Sequence, residues 1–406
     1  MNLIFKLITI SIVIAKSTVK SESLSRLDPV CDLEGSKHFD LCGSIRKSFF
    51  VHGLLSTPYE STVCSPISAL MPLAKLALGA ERATLKELLD AIGVSQKNLI
   101  SEHFKRLILE LRYLPGVRLD IASKLYVSLK SHLQKAFVDQ ARDIFASSIS
   151  KLDFEYPTYA AEEINTWVSA QTNGRIQDII SANDITPTTS LILVNAVYFN
   201  AKWETQFSNI KNGTFHTLSS KKTIPMMKSV GPYNYTKSEA LGAELVMIPY
   251  KDGMVTFLLV LPLSNTGLSV LLDQLKLAPD ILEAAISQME ERNVDLIMPK
   301  FKIETDLNLK EVYEKVGVKG IFSKQDAGLT NIVRDEIVSV SSAKHKAFIE
   351  VNEFGTEAAA STGLVITTLS QQIYHNIRHV KADHPFLFFI LARGQQLFSG
   401  KLVNPK

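Results

Sequence analysis

The chain is poor in several things. Three cysteines in 406 residues cannot build the disulfide framework of a small secreted scaffold. With 19 glycines and 15 prolines, it is far from collagen-like or linker-like. Charge of one sign is also scarce. The 44 Lys and Arg against 41 Asp and Glu leave a net +3, too small an excess for the basic surface that binds nucleic acid without sequence preference. Beyond the N-terminus no run of ~20 uninterrupted apolar residues occurs, so no membrane-spanning helix is expected.

Catalytic signatures are missing as well. There is no G-x-S-x-G elbow, H-E-x-x-H helix, P-loop or G-x-G-x-x-G turn. The nine histidines are scattered, and no Cys or His spacing resembles a metal site. Neither a metal nor a cofactor is expected. The chain does not read as an enzyme, although a triad assembled from distant residues would leave no motif.

What is present is ordinary globular material, 46% hydrophobic and 21% charged. Length alone suggests two or three domains, yet no linker, repeat or charge block divides the chain. At the N-terminus, Lys6 precedes a short apolar run, residues 7–15 (LITISIVIA), with Val13 and Ala15 at small-residue positions. Residues 1–15 therefore read as a secretory signal, and the mature protein as secreted and extracellular. Residues 16–39 form a polar extension. Cys31 and Cys42 lie close together and are a candidate disulfide whose connectivity the sequence leaves open. Cys64, in TVCSPIS, reads as a buried free thiol.

Helical and strand patterns interleave. Thr84 and Glu87 have capping-box spacing, followed by Leu85, Leu88, Leu89 and Ile92 at helical intervals and a stop at Gly93. Ile164, Trp167 and Val168 form a second stripe, ended by Asn173 and Gly174. Leu309, Val312, Tyr313 and Val316 form a third, ended by Gly317. Residues 191–199 (LILVNAVYF) read as a buried central strand. Residues 244–250 and 254–263 flank a Lys251-Asp252-Gly253 turn, and 386–392 and 397–403 flank Arg393-Gly394.

Residues 355–368 (GTEAAASTGLVITT) are unusual. They begin small, end β-prone, and carry no charge after Glu357. In a strand, Thr356, Ala358, Ala360, Thr362, Leu364 and Ile366 would share one face, small and then apolar, while Glu357 pointed the other way. An ordinary edge strand has the same parity. The polar, basic stretch 369–381 that follows suits an exposed loop.

This segment resembles the hinge and reactive loop of the serpin family, and the resemblance runs from about residue 40 to the end. Residues 380–390 (VKADHPFLFFI) resemble the family's C-terminal signature. Residues 195–203 (NAVYFNAKW) resemble its central-sheet motif, and Ser65-Pro66-Ile67-Ser68 the start of its buried helix. The resemblance implies an α+β fold with three β-sheets and about nine helices. Residues 40–406 would form one domain, with the reactive loop at about 353–381.

It also implies a mechanism. Inhibitory serpins offer a loop as protease bait, form an acyl-enzyme, and insert the loop into the main sheet as a new strand. Counted from Gly355, the bait bond is Leu369-Ser370. Glu353, Gly355, Thr356, Glu357, Ala358, Ala359, Ala360, Ser361 and Thr362 make up the hinge. Phe354 departs from the polar residue common there. Leu369 suits a chymotrypsin-like or elastase-like serine protease. A papain-like, cathepsin L-like cysteine protease is the alternative, with cleavage after Ser370. A non-inhibitory carrier or chaperone is the competing function. Ser65, Ser68, Asn195 and His345 match a buried polar cluster beneath the opening sheet. Lys300 and Glu353 match an ion pair at its top, near Trp203. Asn212 and Asn234 head glycosylation sequons. The expected partner is a target protease, met by a monomer. Lys97, Lys105, Arg106, Arg112 and Arg118 are scattered and do not support glycosaminoglycan binding.

Overall fold

The computed structural model describes residues 53–54, 59–145, 149–334, 336–356, 376–393 and 395–405. These residues include eight α-helices, close to the nine or so expected, and three sheets. The helices are α1 (Pro66–Gly79), α2 (Arg82–Ile92), α3 (Leu99–Arg112), α4 (Lys135–Phe145), α5 (Pro157–Gln171), α6 (Leu268–Leu277), α7 (Ile281–Ser287) and α8 (Leu309–Lys315).

The six-stranded sheet carries the site. Its order is β11 (Phe301–Asn308), β13 (Val340–Asn352), β14 (Gly355–Thr356), β5 (Leu191–Lys202), β2 (Val117–Ser128) and β4 (Ile149–Leu152). A nine-stranded sheet runs β1 (Thr62–Cys64), β17 (Gln395–Leu402), β16 (Phe386–Ala392), β9 (Val255–Pro262), β8 (Ala243–Pro249), β7 (Lys221–Ser238), β10 (Glu290–Pro299) and β15 (Arg378–Lys381), with β6 (Ser208–His216) on β7. A short pair, β3 (His132–Leu133) with β12 (Val333–Arg334), completes the set.

Helix α1 is apolar on every side, and all fourteen of its residues are buried, the pattern of a helix that belongs inside a core. It packs against β2 and β5 of one sheet and β17 of the other. Strand β5 lacks polar alternation because both faces are covered, and residues 191–199 are buried throughout. The two expected hairpins form. Asp252 and Gly253 take φ of 70° and 66°, and Arg393 takes 48°, the left-handed conformations of tight turns.

The capping box at Thr84 does not form. Helix α2 begins earlier, at Arg82, which leaves Thr84 buried inside the first turn. Glu87 Oε2 instead accepts from the backbone N–H groups of Lys319 and Gly320, at 2.8 and 2.7 Å. A carboxylate that satisfies two orphan donors of a distant turn is unavailable to its own helix. Gly93, with φ of 70°, does end α2 as expected. Cys64 is buried, and burial pushes its thiol up to about 11, so it is inert as a nucleophile at neutral pH.

Candidate functional site

The seam between β13 and β5 changes character along its length. In its lower part the two strands pair directly and in parallel, from Val340 with Leu191 up to Phe348 with Tyr198. Above that they part. Strand β14 lies between them, antiparallel to both, with Thr356 opposite Val351 on one side and Ala201 on the other. Gly355 pairs with Asn352 and Lys202. A Cβ at Gly355 would collide with the Ala201 carbonyl oxygen, so this close approach needs glycine.

Thr356 is fully buried, and its Oγ1 lies 2.5 Å from Tyr250 Oη. The Tyr250 ring stacks on Trp203, with centroids 4.5 Å apart, and meets Phe199 edge to face. Burial raises the pKa of the Tyr250 phenol, so it remains a neutral hydroxyl able to donate or accept. The turn into β14 is held by side chains. Asn352 Oδ1 accepts from Phe354 N and Gly355 N, at 2.9 and 3.2 Å. Trp203 Nε1 donates to Asn352 O at 2.8 Å, and its backbone N donates to Phe354 O. Lys300 Nζ and Glu353 Oε2 are 2.7 Å apart. The three residues expected near the top of the sheet, Trp203, Lys300 and Glu353, therefore meet around one turn, and the hinge residue Thr356 joins them there. Phe354 acts here through its backbone.

A second polar group lies lower, beneath the closed part of the seam. His345 and Asn195 are direct cross-strand partners. Asn195 Nδ2 is 3.2 Å from His345 Nδ1 and donates to Ser68 Oγ at 3.0 Å. Ser65 N donates to His345 Nε2 at 3.3 Å, and Ser65 Oγ caps α1 by accepting from Ser68 N. All four residues are fully buried. Desolvation lowers the His345 pKa to about 4, so the ring is neutral at physiological pH. This cluster ties α1 to both strands of the seam.

Other expected residues are placed as follows. Glu357, Ala358, Ala359, Ala360, Ser361, Thr362, Leu369, Ser370, Cys31 and Cys42 lie outside the described residues. The chain returns at β15, which pairs in parallel with β10 from Arg378 opposite Val294. Asn212 and Asn234 are both exposed, as glycan acceptors must be. Among the scattered cations, Arg106 pairs with Glu110, Arg118 with Asp120, and Lys97 donates to Ala80 O. Sequence reasoning missed Tyr250 and Asn352. Tyr250 closes a hairpin strand and Asn352 precedes the hinge, but no local pattern marks either as a contact of Thr356 or of the turn.

Comparison with known proteins agrees with this geometry. The family model described as "Serpin (serine protease inhibitor)" matches residues 49–405. The chain is 39% identical over 354 residues to "Antichymotrypsin-2" of Bombyx mori, covering 86% of this chain and 94% of that one. It is 38% identical over 358 residues to "Antitrypsin" of the same insect, covering 87% and 91%. Its fold is similar to that of Serpin48, described as a highly specific serpin in the insect Tenebrio molitor, with a TM-score of 0.80 at 27% identity, covering 89% of this chain and 96% of that one.

Proposed function

The chain belongs to the serpin family, and from that premise we propose that it is a secreted suicide inhibitor working by loop insertion. The observation that carries this reading is the occupied upper seam. Gly355 and Thr356 already sit between β13 and β5 in register with both. Each further residue of the loop, kept in that register, passes one residue lower on both neighbours. Thr362 then comes level with Asn195 and His345. Insertion therefore replaces the direct pairing of the lower seam with an added strand; Ala358 comes just above that pairing, and the small residues Ala359, Ala360 and Ser361 are the first to enter it.

On this reading the protease attacks Leu369-Ser370, and insertion carries the acyl-enzyme away before water can release it. The metastable native state is a kinetic trap that cleavage opens. Residues 40–406 act as one domain after residues 1–15 are removed, and Asn212 and Asn234 carry glycans. Leu369 favours a chymotrypsin-like or elastase-like target. The relatives named antichymotrypsin and antitrypsin are almost equally similar, so overall identity does not choose the target, and the loop residue does.

The test is incubation of the mature protein with chymotrypsin, elastase and a cathepsin L-like protease. An SDS-resistant complex with a serine protease, and cleavage mapped after Leu369 by mass spectrometry, are expected. Clean loop cleavage with full residual protease activity would overturn the proposal and favour a carrier. Loss of only cathepsin L-like activity, with cleavage after Ser370, would reassign the target class.

A further inference from the structure

Strand β7 is partnered unevenly. Along one edge it pairs with β10 without a break from Met226 to Tyr235. Along the other edge the pairing with β6 ends at Lys228, and the pairing with β8 begins at Asn234. Residues 229–233 therefore have one backbone edge with no strand partner among the described residues. A cavity of about 270 Å³ opens in this fork between β7 and β8. Its apolar walls are Val230, Pro232 and Tyr233 of β7 and Ile248 and Pro249 of β8. Tyr233 and Ile248 are buried, and Ser229 Oγ, 2.6 Å from Tyr233 Oη, fixes the ring. The segment that leaves β5 contributes Glu204 and Thr205. It is held there by Glu204 N, which donates to Pro249 O at 3.0 Å. Glu204 is the one charged residue of the wall. Its Oε2 accepts from Asp252 N at 3.1 Å, and a carboxylate has further lone pairs to offer.

We propose that this fork binds the free N-terminus of a short extended peptide with an apolar first side chain. Three features converge on that ligand. The α-ammonium meets Glu204, and charge-assisted hydrogen bonds are the stronger kind. The peptide groups add to the open edge of β7, the way an extended segment joins an exposed sheet edge. The first side chain lies against the prolines, Tyr233 and Ile248. Size sets the length, because ligand pockets run upward from about 300 Å³ and this one takes roughly two residues. Other ligands use less of the site. A hydrocarbon leaves the carboxylate and the backbone edge unmet. A metal ion finds a single carboxylate, and an anion is repelled by it. The site is independent of the protease reading and survives its failure.

The experiment is isothermal titration calorimetry of the full mature chain with leucyl-alanine amide and with 4-methylpentanoyl-alanine amide, which lacks only the amino group. The native chain should bind the first about tenfold or more tightly than the second. Glu204→Gln should remove that preference and leave binding of the second ligand intact. Gly231→Val should fill the fork. Apart from its chain neighbours, a Cβ at Gly231 meets only Tyr233 Cε2 within 4 Å, at 3.9 Å. That variant should weaken both ligands by about tenfold or more. A native chain that binds neither ligand, or binds both equally, overturns the proposal. So does an unchanged preference in Glu204→Gln or an unchanged affinity in Gly231→Val. If Gly231→Val fails to fold, Glu204→Gln, at an exposed position, decides alone.

Discussion

The upper and lower ends of the β13–β5 seam are bordered by the same two strands but are built differently. At the top, Thr356 is wedged between them and fastened to Tyr250. At the bottom, Asn195 and His345 face each other directly and are tied to α1 through Ser65 and Ser68. The upper end has thus accepted the first residues of a strand, while the lower end is latched. On the proposed mechanism, entry of the loop is not the step that holds the native state: the barrier would lie where parallel pairing begins, at Phe348 and Tyr198, and deepen at the buried cluster. Only there must several buried polar groups exchange partners together, and each loses at least the desolvation cost of an unmade hydrogen bond on the way.

The largest expected effect comes from breaking the upper end. Thr356→Arg puts a guanidinium where no exposed surface exists. Burial of an unpaired charge is strongly unfavourable, so the hinge leaves the sheet and insertion slows while deacylation continues. Inhibitor should become substrate. The stoichiometry of inhibition against chymotrypsin should rise about tenfold or more, a decade for each ~1.4 kcal/mol added to the insertion barrier. An unchanged stoichiometry would show that Thr356 burial is irrelevant to trapping.

Acid should attack the lower end next. The His345 pKa in the folded protein is about 4, below its ordinary 6.5, because burial disfavours the charged ring. Between those values the unfolded chain binds a proton that the native ring refuses. Stability therefore rises with pH in this window and is lost as pH falls through it, by about 3 kcal/mol at most. Melting temperatures from pH 7 to pH 4.5 measure the slope, and His345→Asn should flatten it. The same slope in that variant would move the acid sensitivity elsewhere. Asn195→Ala should lower stability by about 1–3 kcal/mol and speed conversion to inserted or polymeric forms on mild heating, read by native gels. A variant as stable as the parent, with the same conversion rate, would mean that the cluster is not a latch.

These two ends were not equally legible in the sequence. Hydrophobic pattern and turn residues sufficed for β5, the two hairpins, and the glycine stops of α2 and α8, because burial and positive φ act locally. The lower cluster came from family motifs at Ser65, Asn195 and His345, and the structure brings those residues within hydrogen-bonding distance. At the upper end, Glu353, Lys300 and Trp203 were foreseen, but Tyr250 and the early docking of Thr356 were not. A contact between positions 106 residues apart leaves no periodic trace, and parity within residues 355–368 says only which side chains share a face. The misplaced capping box has the same origin, since Glu87 answers to Lys319 and Gly320 rather than to Thr84.

The smallest effect tests what holds the upper end. Thr356 could stay in the seam through burial alone, or through its hydrogen bond to Tyr250. Tyr250→Phe removes the phenol hydroxyl and keeps the ring that stacks on Trp203. Thr356→Val removes the threonine hydroxyl at nearly constant volume. Each single variant leaves one buried hydroxyl unpaired, and the double variant leaves none. If the hydrogen bond holds the hinge, the singles should cost about 1 kcal/mol each and the double less than their sum. Amide hydrogen exchange at Gly355 and Thr356 should accelerate about fivefold in Tyr250→Phe, because a net loss of ~1 kcal/mol opens the hinge that much more often. Strict additivity with unchanged exchange would assign the docking to packing alone. The upper end would then be a shape-matched slot that any small residue can enter, and selectivity for the loop would rest wholly on the latch at His345.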